Sequence, residues 1–303
     1  MAARHMQLVL LIELLIYLAV GYSLTLNGWT VVQASFAMVV VALGVRLLLV
    51  VVTYVVALIW SSEPPASHRI GAVQRIVSVL QEWLALLAMS FAIPFEAHLM
   101  GPDRFRRPSD GRLPLLLIHG YLANRGFWYW IRKRLELRGW VVATLTLEPT
   151  YADIDTYADL IAKRIETVLA ETGAEKVILI GHSMGGLASR ACLRKYGSRY
   201  VAGLITLGTP HHGSRLASIG WGMNGKQMRP GSAWLELLNV VEAGYLPDTV
   251  AVFSYGDNFV MPQENARLER ARNIAVPAIG HVGMAISPAF INTLIEVLEE
   301  PAE

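Results

Sequence analysis

Gly181-His182-Ser183-Met184-Gly185-Gly186 stands between a strand-like run, Lys176–Ile180, and a helical stretch, Met184–Tyr196, that closes at Gly197. Gly-x-Ser-x-Gly between a strand and a helix reads as a nucleophile elbow: the serine takes a strained turn, and the flanking glycines let backbones approach. The turn lifts the hydroxyl above the end of a sheet. There the first turn of the new helix aims backbone N–H groups at developing negative charge. The five-residue pattern alone recurs by chance, and its setting is what separates it from an ordinary glycine-rich turn.

Strand and helix alternate on either side of this stretch. Leu113–His119 is a short continuous apolar run, as a strand buried on both faces requires. Helical Phe127–Arg138, strand Trp140–Leu147 and a helix at about Thr156–Glu171 lead up to the elbow. Strands Val201–Leu207, Thr249–Tyr255 and Asn273–Ile279 come after it. Ser287 as N-cap and Pro288 at the first position open a last helix. Six strands alternating with helices predict an α/β fold: a six-stranded, mostly parallel, doubly wound sheet with its ligand site at the carboxyl ends of the strands.

A serine is a weak nucleophile at neutral pH and needs a base that a carboxylate orients. After an elbow of this kind the chain order is serine, then acid, then histidine. Of eight histidines, His281 in Ile279-Gly280-His281-Val282-Gly283 fits that order, and the others stand at or before position 212. Asp257 lies just past strand Thr249–Tyr255. Asp248 stands at the wrong end of that strand, and Glu264 is a weaker substitute on the loop. Two backbone N–H donors are needed for the oxyanion, one from Met184 and one from Tyr121 in the loop after the first strand. His119, at the head of that loop, is expected to support it rather than act as a base.

These blocks resemble the α/β-hydrolase superfamily, in particular its compact bacterial lipases and esterases. Gly208-Thr209-Pro210-His211-His212-Gly213-Ser214 is similar to the loop after the next strand in such lipases. The likeness covers roughly residues 112–300. It implies a Ser183–Asp257–His281 triad, an oxyanion hole at Tyr121 and Met184, and no cofactor. The larger secreted lipases carry a calcium site beside the catalytic histidine and often a disulfide. Here Val282-Gly283-Met284 comes after His281 and Cys192 is the one cysteine, so neither metal nor disulfide is expected. The insertion at about 211–246 resembles a lipase cap, with Trp221, Met223, Trp234 and Leu238 as candidates to meet an acyl chain. An apolar helical stripe of ordinary packing is the alternative reading of the same residues.

The first hundred residues have a different texture. Leu8–Leu26 is apolar except for Glu13, long enough to cross a bilayer core of about 30 Å. Asn27-Gly28-Trp29-Thr30 signals a turn, and a second apolar run extends from Val31 to Trp60 with Gln33 and Arg46 as interruptions. A cleaved signal peptide is the competing reading of the first run. The second run begins at once, and no small-residue cleavage site is visible, which favours a membrane hairpin. Glu13 lies sixteen residues before Trp29 and Arg46 seventeen after it, so the two would meet at one depth in an antiparallel hairpin. The alternative is a protonated or snorkelling Glu13. Residues 70–100 read as a third span or as a helix in the membrane interface, amphipathic at first and then apolar up to and beyond Pro94. Charge cues disagree on sidedness. Arg4, Arg69 and Arg75 put both hairpin ends inside, whereas a third span would export the carboxy-terminal domain against the pull of Arg104, Arg106 and Arg107.

The predicted organisation is therefore a membrane region 1–100 (helices about 7–27, 31–60 and 70–100), a linker 101–112, and an α/β-hydrolase domain 113–303. Hydrophobic residues make up 54% of the 303 and charged residues 17%, which excludes disorder. A net charge of +2 gives no reason to expect nucleic acid as a partner. The expected partners are a lipid or acyl-ester substrate and the bilayer, in a bacterial inner membrane, and the helices could also pair copies of the chain. The resemblance implies ester hydrolysis through an acyl-enzyme. Acyl transfer or thioester hydrolysis would use the same triad, and a non-catalytic membrane scaffold would leave it idle.

Overall fold

Leu115, Leu116, Leu117 and Ile118 are fully buried and form the first strand, β1. Alternate side chains serve two cores. Leu115 and Leu117 join Phe127, Trp128, Ile131 and Phe290, while Leu116 and Ile118 join Ile161, Ile165, Met184 and Leu187. A strand greased on both faces must be covered on both, which is why helices flank it. The structure is a computed structural model that describes residues 2–61, 63–105, 111–240 and 246–300. Residues 106–110 of the expected linker and 241–245 of the expected insertion lie outside the described residues.

Three helices come first: α1 (Ala2–Leu26), α2 (Val31–Trp60) and α3 (Ala72–Ala92). Each is long and apolar enough to cross a membrane. Thr30 caps α2 through a reciprocal capping box with Gln33, which fixes the turn from α1. The single helix predicted over 70–100 is in fact two, because Pro94 has no N–H to continue the ladder: α3 ends at Ala92, and a short α4 (Glu96–Met100) comes next. The alternating core then runs β1 (Leu115–Ile118), α5 (Tyr129–Leu137), β2 (Val142–Leu145), α6 (Ile154–Thr172), β3 (Val177–His182), α7 (Met184–Tyr196) and β4 (Val201–Leu207). It continues with α8 (Gly222–Gln227), α9 (Ala233–Val240), β5 (Asp248–Ser254), β6 (Arg272–Val276) and α10 (Pro288–Glu299).

All six strands are parallel, in the order β2-β1-β3-β4-β5-β6. The order reverses between β1 and β3, and such a switch point opens a crevice at the carboxyl ends of the two strands. Ile118 pairs with Gly181 in register, so the loop after β1 and the elbow after β3 leave the sheet side by side.

The α3 helix lies across that end of the sheet. Ser78, Glu82, Ala85, Met89 and Ala92, spaced four and three apart, form its buried face. They pack on α2 and on the turns at Arg125–Trp128 and Gly283–Ala285. The opposite face, with Val73, Ile76, Val77, Leu84 and Phe91, is exposed and apolar. At the far end Gly126 touches α3 so closely that a Cβ would sit 2.4 Å from the Ala92 carbonyl oxygen.

Candidate active site

Ser183 sits at the crest of the turn between β3 and α7 with φ 54° and ψ −127°, a conformation few side chains adopt. Its N–H donates to the Leu207 carbonyl at 2.9 Å, and Gly186 N–H closes the turn on the Ser183 carbonyl at 3.0 Å. The elbow is sterically tight. A Cβ on Gly185 would lie 2.2 Å from the Ile118 carbonyl oxygen, so α7 can press against β1 only if residue 185 has no side chain.

Asp257 and His281 meet beside it. Asp257 leaves the end of β5 and His281 comes after β6, so neighbouring parallel strands deliver both to one crevice. His281 Nδ1 lies 2.8 Å from Asp257 Oδ2, and both side chains are buried. The other carboxylate oxygen, Oδ1, accepts the N–H groups of Phe259 at 2.7 Å and Val260 at 2.9 Å, which holds the carboxylate in place. The Phe259 ring stacks on the imidazole. Burial pulls the His281 pKa down, but the charge and hydrogen bond of Asp257, with the charge of Glu82 behind them, leave it raised above 6.5. With Nδ1 donating to Asp257, Nε2 is the free base, the state that a proton acceptor requires.

Ser183 is next to His182, whose Nε2–H donates to the His281 carbonyl at 3.2 Å and whose ring lies 4.6 Å from the His281 ring. Serine and imidazole are thereby brought to one locality. Among the described residues the Ser183 hydroxyl makes no hydrogen bond. Links of this kind are often long without substrate and tighten when it binds. Burial drives the His182 pKa well below 6.5, so its ring is a neutral spacer.

The Met184 N–H opens α7, and the Tyr121 N–H belongs to the loop after β1, where Leu122 has φ 56°. Neither N–H has a partner among the described residues. The Met184 N–H is one of the unpaired donors at the positive end of α7. His119 braces this loop: Nδ1–H donates to the Gly120 carbonyl at 2.8 Å, and Nε2 accepts the Leu147 N–H at 2.9 Å. Burial lowers its pKa to about 4, so it stays neutral, the supporting part expected of it.

The four apolar residues of the insertion separate into two pairs. Trp221 and Met223 are exposed, at 79% and 50%. Leu238 is fully buried against α7, and Trp234 packs on the same core while its Nε1–H donates to Asp155 at 3.1 Å. The Tyr121 hydroxyl clasps the exposed end, donating to the Trp221 carbonyl at 2.8 Å and accepting its N–H at 3.0 Å. Among the described residues no group of three or more His, Cys, Asp or Glu is placed to hold a metal.

Two residues outside every motif also reach the site. Asn258 Oδ1 accepts the His281 N–H at 3.0 Å, and Glu82 on α3 accepts the N–H groups of Val282 and Gly283. Asn258 is adjacent to Asp257 in sequence. Glu82 stands among Gln74, Arg75 and Gln81 on the amphipathic half of α3, so nothing in its local sequence sets it apart.

Known proteins resemble parts of this chain. A model of the alpha/beta hydrolase fold matches residues 114–231. A triacylglycerol lipase of Pseudarthrobacter phenanthrenivorans is 37% identical over 116 residues, 36% of this chain and 36% of that one. A triacylglycerol lipase of Burkholderia plantarii is 37% identical over 116 residues, 36% of this chain and 32% of that one. The aligned stretch spans about a third of the length of these curated relatives. Among solved structures, mature Bacillus licheniformis lipase BlEst2 superposes with a TM-score of 0.58 at 20% identity, covering 65% of this chain and 96% of that one. Aspergillus fumigatus lipase B gives 0.57 at 18%, covering 66% and 56%. At such identities structural likeness speaks for the fold alone. The chain is an α/β hydrolase in fold, with lipase-like homologues, and three long apolar helices precede its six-stranded parallel sheet.

Proposed function

We propose that the chain is a membrane-anchored serine hydrolase of carboxylic esters, acting on acyl esters drawn from the bilayer. In this reading residues 1–100 hold it to the membrane, 101–112 link, and 113–303 are catalytic. Ser183 Oγ attacks the ester carbonyl while His281 Nε2 takes its proton. The Tyr121 and Met184 N–H groups hold the oxyanion. Collapse breaks the C–O bond, and the proton on His281 passes to the departing alcohol, leaving acyl-Ser183. Water then attacks, giving its proton to His281, and a second collapse returns that proton to Ser183 Oγ and frees the carboxylic acid. Asp257 keeps the imidazole oriented and favours its protonated form during both steps.

The observation that carries the reading is a buried His281–Asp257 pair adjoining a strained serine elbow between β3 and α7. Support for an apolar substrate comes from the exposed Ile219, Trp221 and Met223 of the insertion and the apolar outer face of α3. The triacylglycerol lipases among its relatives favour esters over amides.

The test is hydrolysis by the purified full chain in detergent, over p-nitrophenyl esters of increasing chain length and over triacylglycerol and phospholipid micelles. Long-chain esters should turn over, and Ser183→Ala should lower kcat by about 10⁶, the loss that a disabled triad shows elsewhere. No ester turnover, or turnover unchanged in Ser183→Ala, would refute the reading.

A further inference from the structure

Glu82 lies midway along α3, yet it is 1% exposed. A carboxylate taken out of water on an apolar helix is costly unless hydrogen bonds satisfy it. Here both oxygens are satisfied by residues two hundred positions away. Val282 N–H donates to Oε1 at 3.0 Å and Gly283 N–H to Oε2 at 2.7 Å. Each oxygen thus accepts one backbone N–H, so the buried carboxyl group is satisfied on both.

Those donors are the two residues immediately after His281. The residue immediately before it, Gly280, closes over the same carboxylate. A Cβ there would lie 2.3 Å from Glu82 Oε2 and 2.6 Å from the Tyr54 hydroxyl of α2, so position 280 has no room for a side chain. On the other side Asn258 accepts the His281 N–H, and Asn258 Nδ2 donates to Thr53 Oγ1 of α2 at 2.7 Å. The strap 280–283 is thus held between two of the amino-terminal helices.

We infer that Glu82 is a positioning residue of the active site: its carboxylate, carried by α3, sets the strap that presents His281 to Ser183. This rests on the triad reading given under Proposed function. The amino-terminal helices then form part of the scaffold of the catalytic centre as well as an anchor. An imidazole misplaced by about 1 Å can cost a hundredfold in turnover, which is the scale of effect at stake. The titratable groups around the imidazole come from four elements: Asp257 after β5, His182 on β3, Glu82 on α3 and, behind Glu82, Tyr54 on α2. Of these, the two acids favour the protonated ring.

The experiment compares wild type, Glu82→Gln and Glu82→Ala as full chains in detergent with p-nitrophenyl butyrate, after counting reactive Ser183 with a fluorophosphonate. Glu82→Gln keeps the shape and one accepting oxygen but loses the charge. Per labelled site, kcat should fall about tenfold in Glu82→Gln and about a hundredfold in Glu82→Ala, with KM within about threefold. The acid limb of kcat/KM should move to lower pH in both, since a negative charge near the imidazole is gone. A purely structural role would lower the labelled fraction and leave both readouts in place. A kcat per labelled site within about twofold of wild type, or an acid limb that stays put in Glu82→Gln, overturns the inference. If Glu82→Ala fails to fold, the near-isosteric Glu82→Gln decides by the same two readouts. Absence of label on wild type, or full activity in Ser183→Ala, would instead remove the triad reading beneath it.

Discussion

Arg46 on α2 grips both carboxylate oxygens of Glu13 on α1: Nη2 lies 2.6 Å from Oε2, and Nη1 holds Oε1. The Tyr17 hydroxyl donates to the same Oε1, and Arg46 Nη1 also reaches the Ala42 carbonyl at 3.2 Å. Two charges on otherwise apolar helices thus satisfy each other, at the matched depth that their distances from Trp29 imply.

Removing one partner strands the other. Arg46→Leu or Glu13→Leu should destabilise the α1–α2 hairpin by about 3 kcal/mol, whereas the double change Glu13→Leu with Arg46→Leu should recover most of that loss. Unfolding of the full chain by SDS titration in mixed micelles, monitored by circular dichroism, measures both. Additive losses in the double variant would mean that the pair does not act as a unit.

His281 sets the pH dependence. Its pKa is raised above 6.5 and catalysis needs the neutral ring, so kcat/KM should be full at higher pH and fall as pH drops through that raised value. Asp257→Asn removes the charge that raises it. The acid limb should then move to lower pH while kcat falls by about 10⁴, the size of the same change in other serine hydrolases. A pH–rate profile on a soluble short-chain ester reads both effects.

Contact between α3 and the turn after β1 is testable at Gly126. A Cβ there would lie 2.4 Å from the Ala92 carbonyl oxygen and 2.9 Å from Asn124 Oδ1, so Gly126→Ala must push the two apart. Overpacking of this kind costs about 1–3 kcal/mol. Hydrogen exchange should quicken over Ala92–Ile93 and Asn124–Trp128. Gly44→Ala on α2, where a Cβ meets open space, should leave those rates unchanged.

Tyr121 contributes its N–H to the proposed oxyanion hole and its hydroxyl to the insertion. Tyr121→Phe removes only the two hydrogen bonds to Trp221, each worth about 1 kcal/mol or less at an exposed site. Exchange across Ile219–Met223 should rise by about five- to tenfold, with kcat on p-nitrophenyl butyrate within about threefold of wild type. A collapse of kcat on that ester would place the phenol in the chemistry.

Much of the fold is legible in local pattern. Leu115–Ile118 declares a strand covered on both faces, and Ser287 caps α10 as short polar residues do at helix starts. Ser183, Asp257 and His281, the proposed triad, are picked out in the sequence by chain order and strand ends. Glu82 is not, since helical spacing fixes which residues share a face but not what that face will meet two hundred residues later. The insertion is similar: Trp221 and Leu238 read alike in sequence, and only tertiary packing turns one outward and the other against α7. Residues 70–100 read as one helix because their apolar content outweighs Pro94, yet the missing N–H still ends α3 at Ala92.

The most direct test of the serine chemistry is to treat the full chain with a fluorophosphonate and map the adduct by peptide mass spectrometry. One adduct per chain on Ser183, absent in Ser183→Ala and strongly slowed in His281→Ala, is the expected result. An unmodified Ser183 in folded protein, or labelling that persists undiminished in Ser183→Ala, would contradict it.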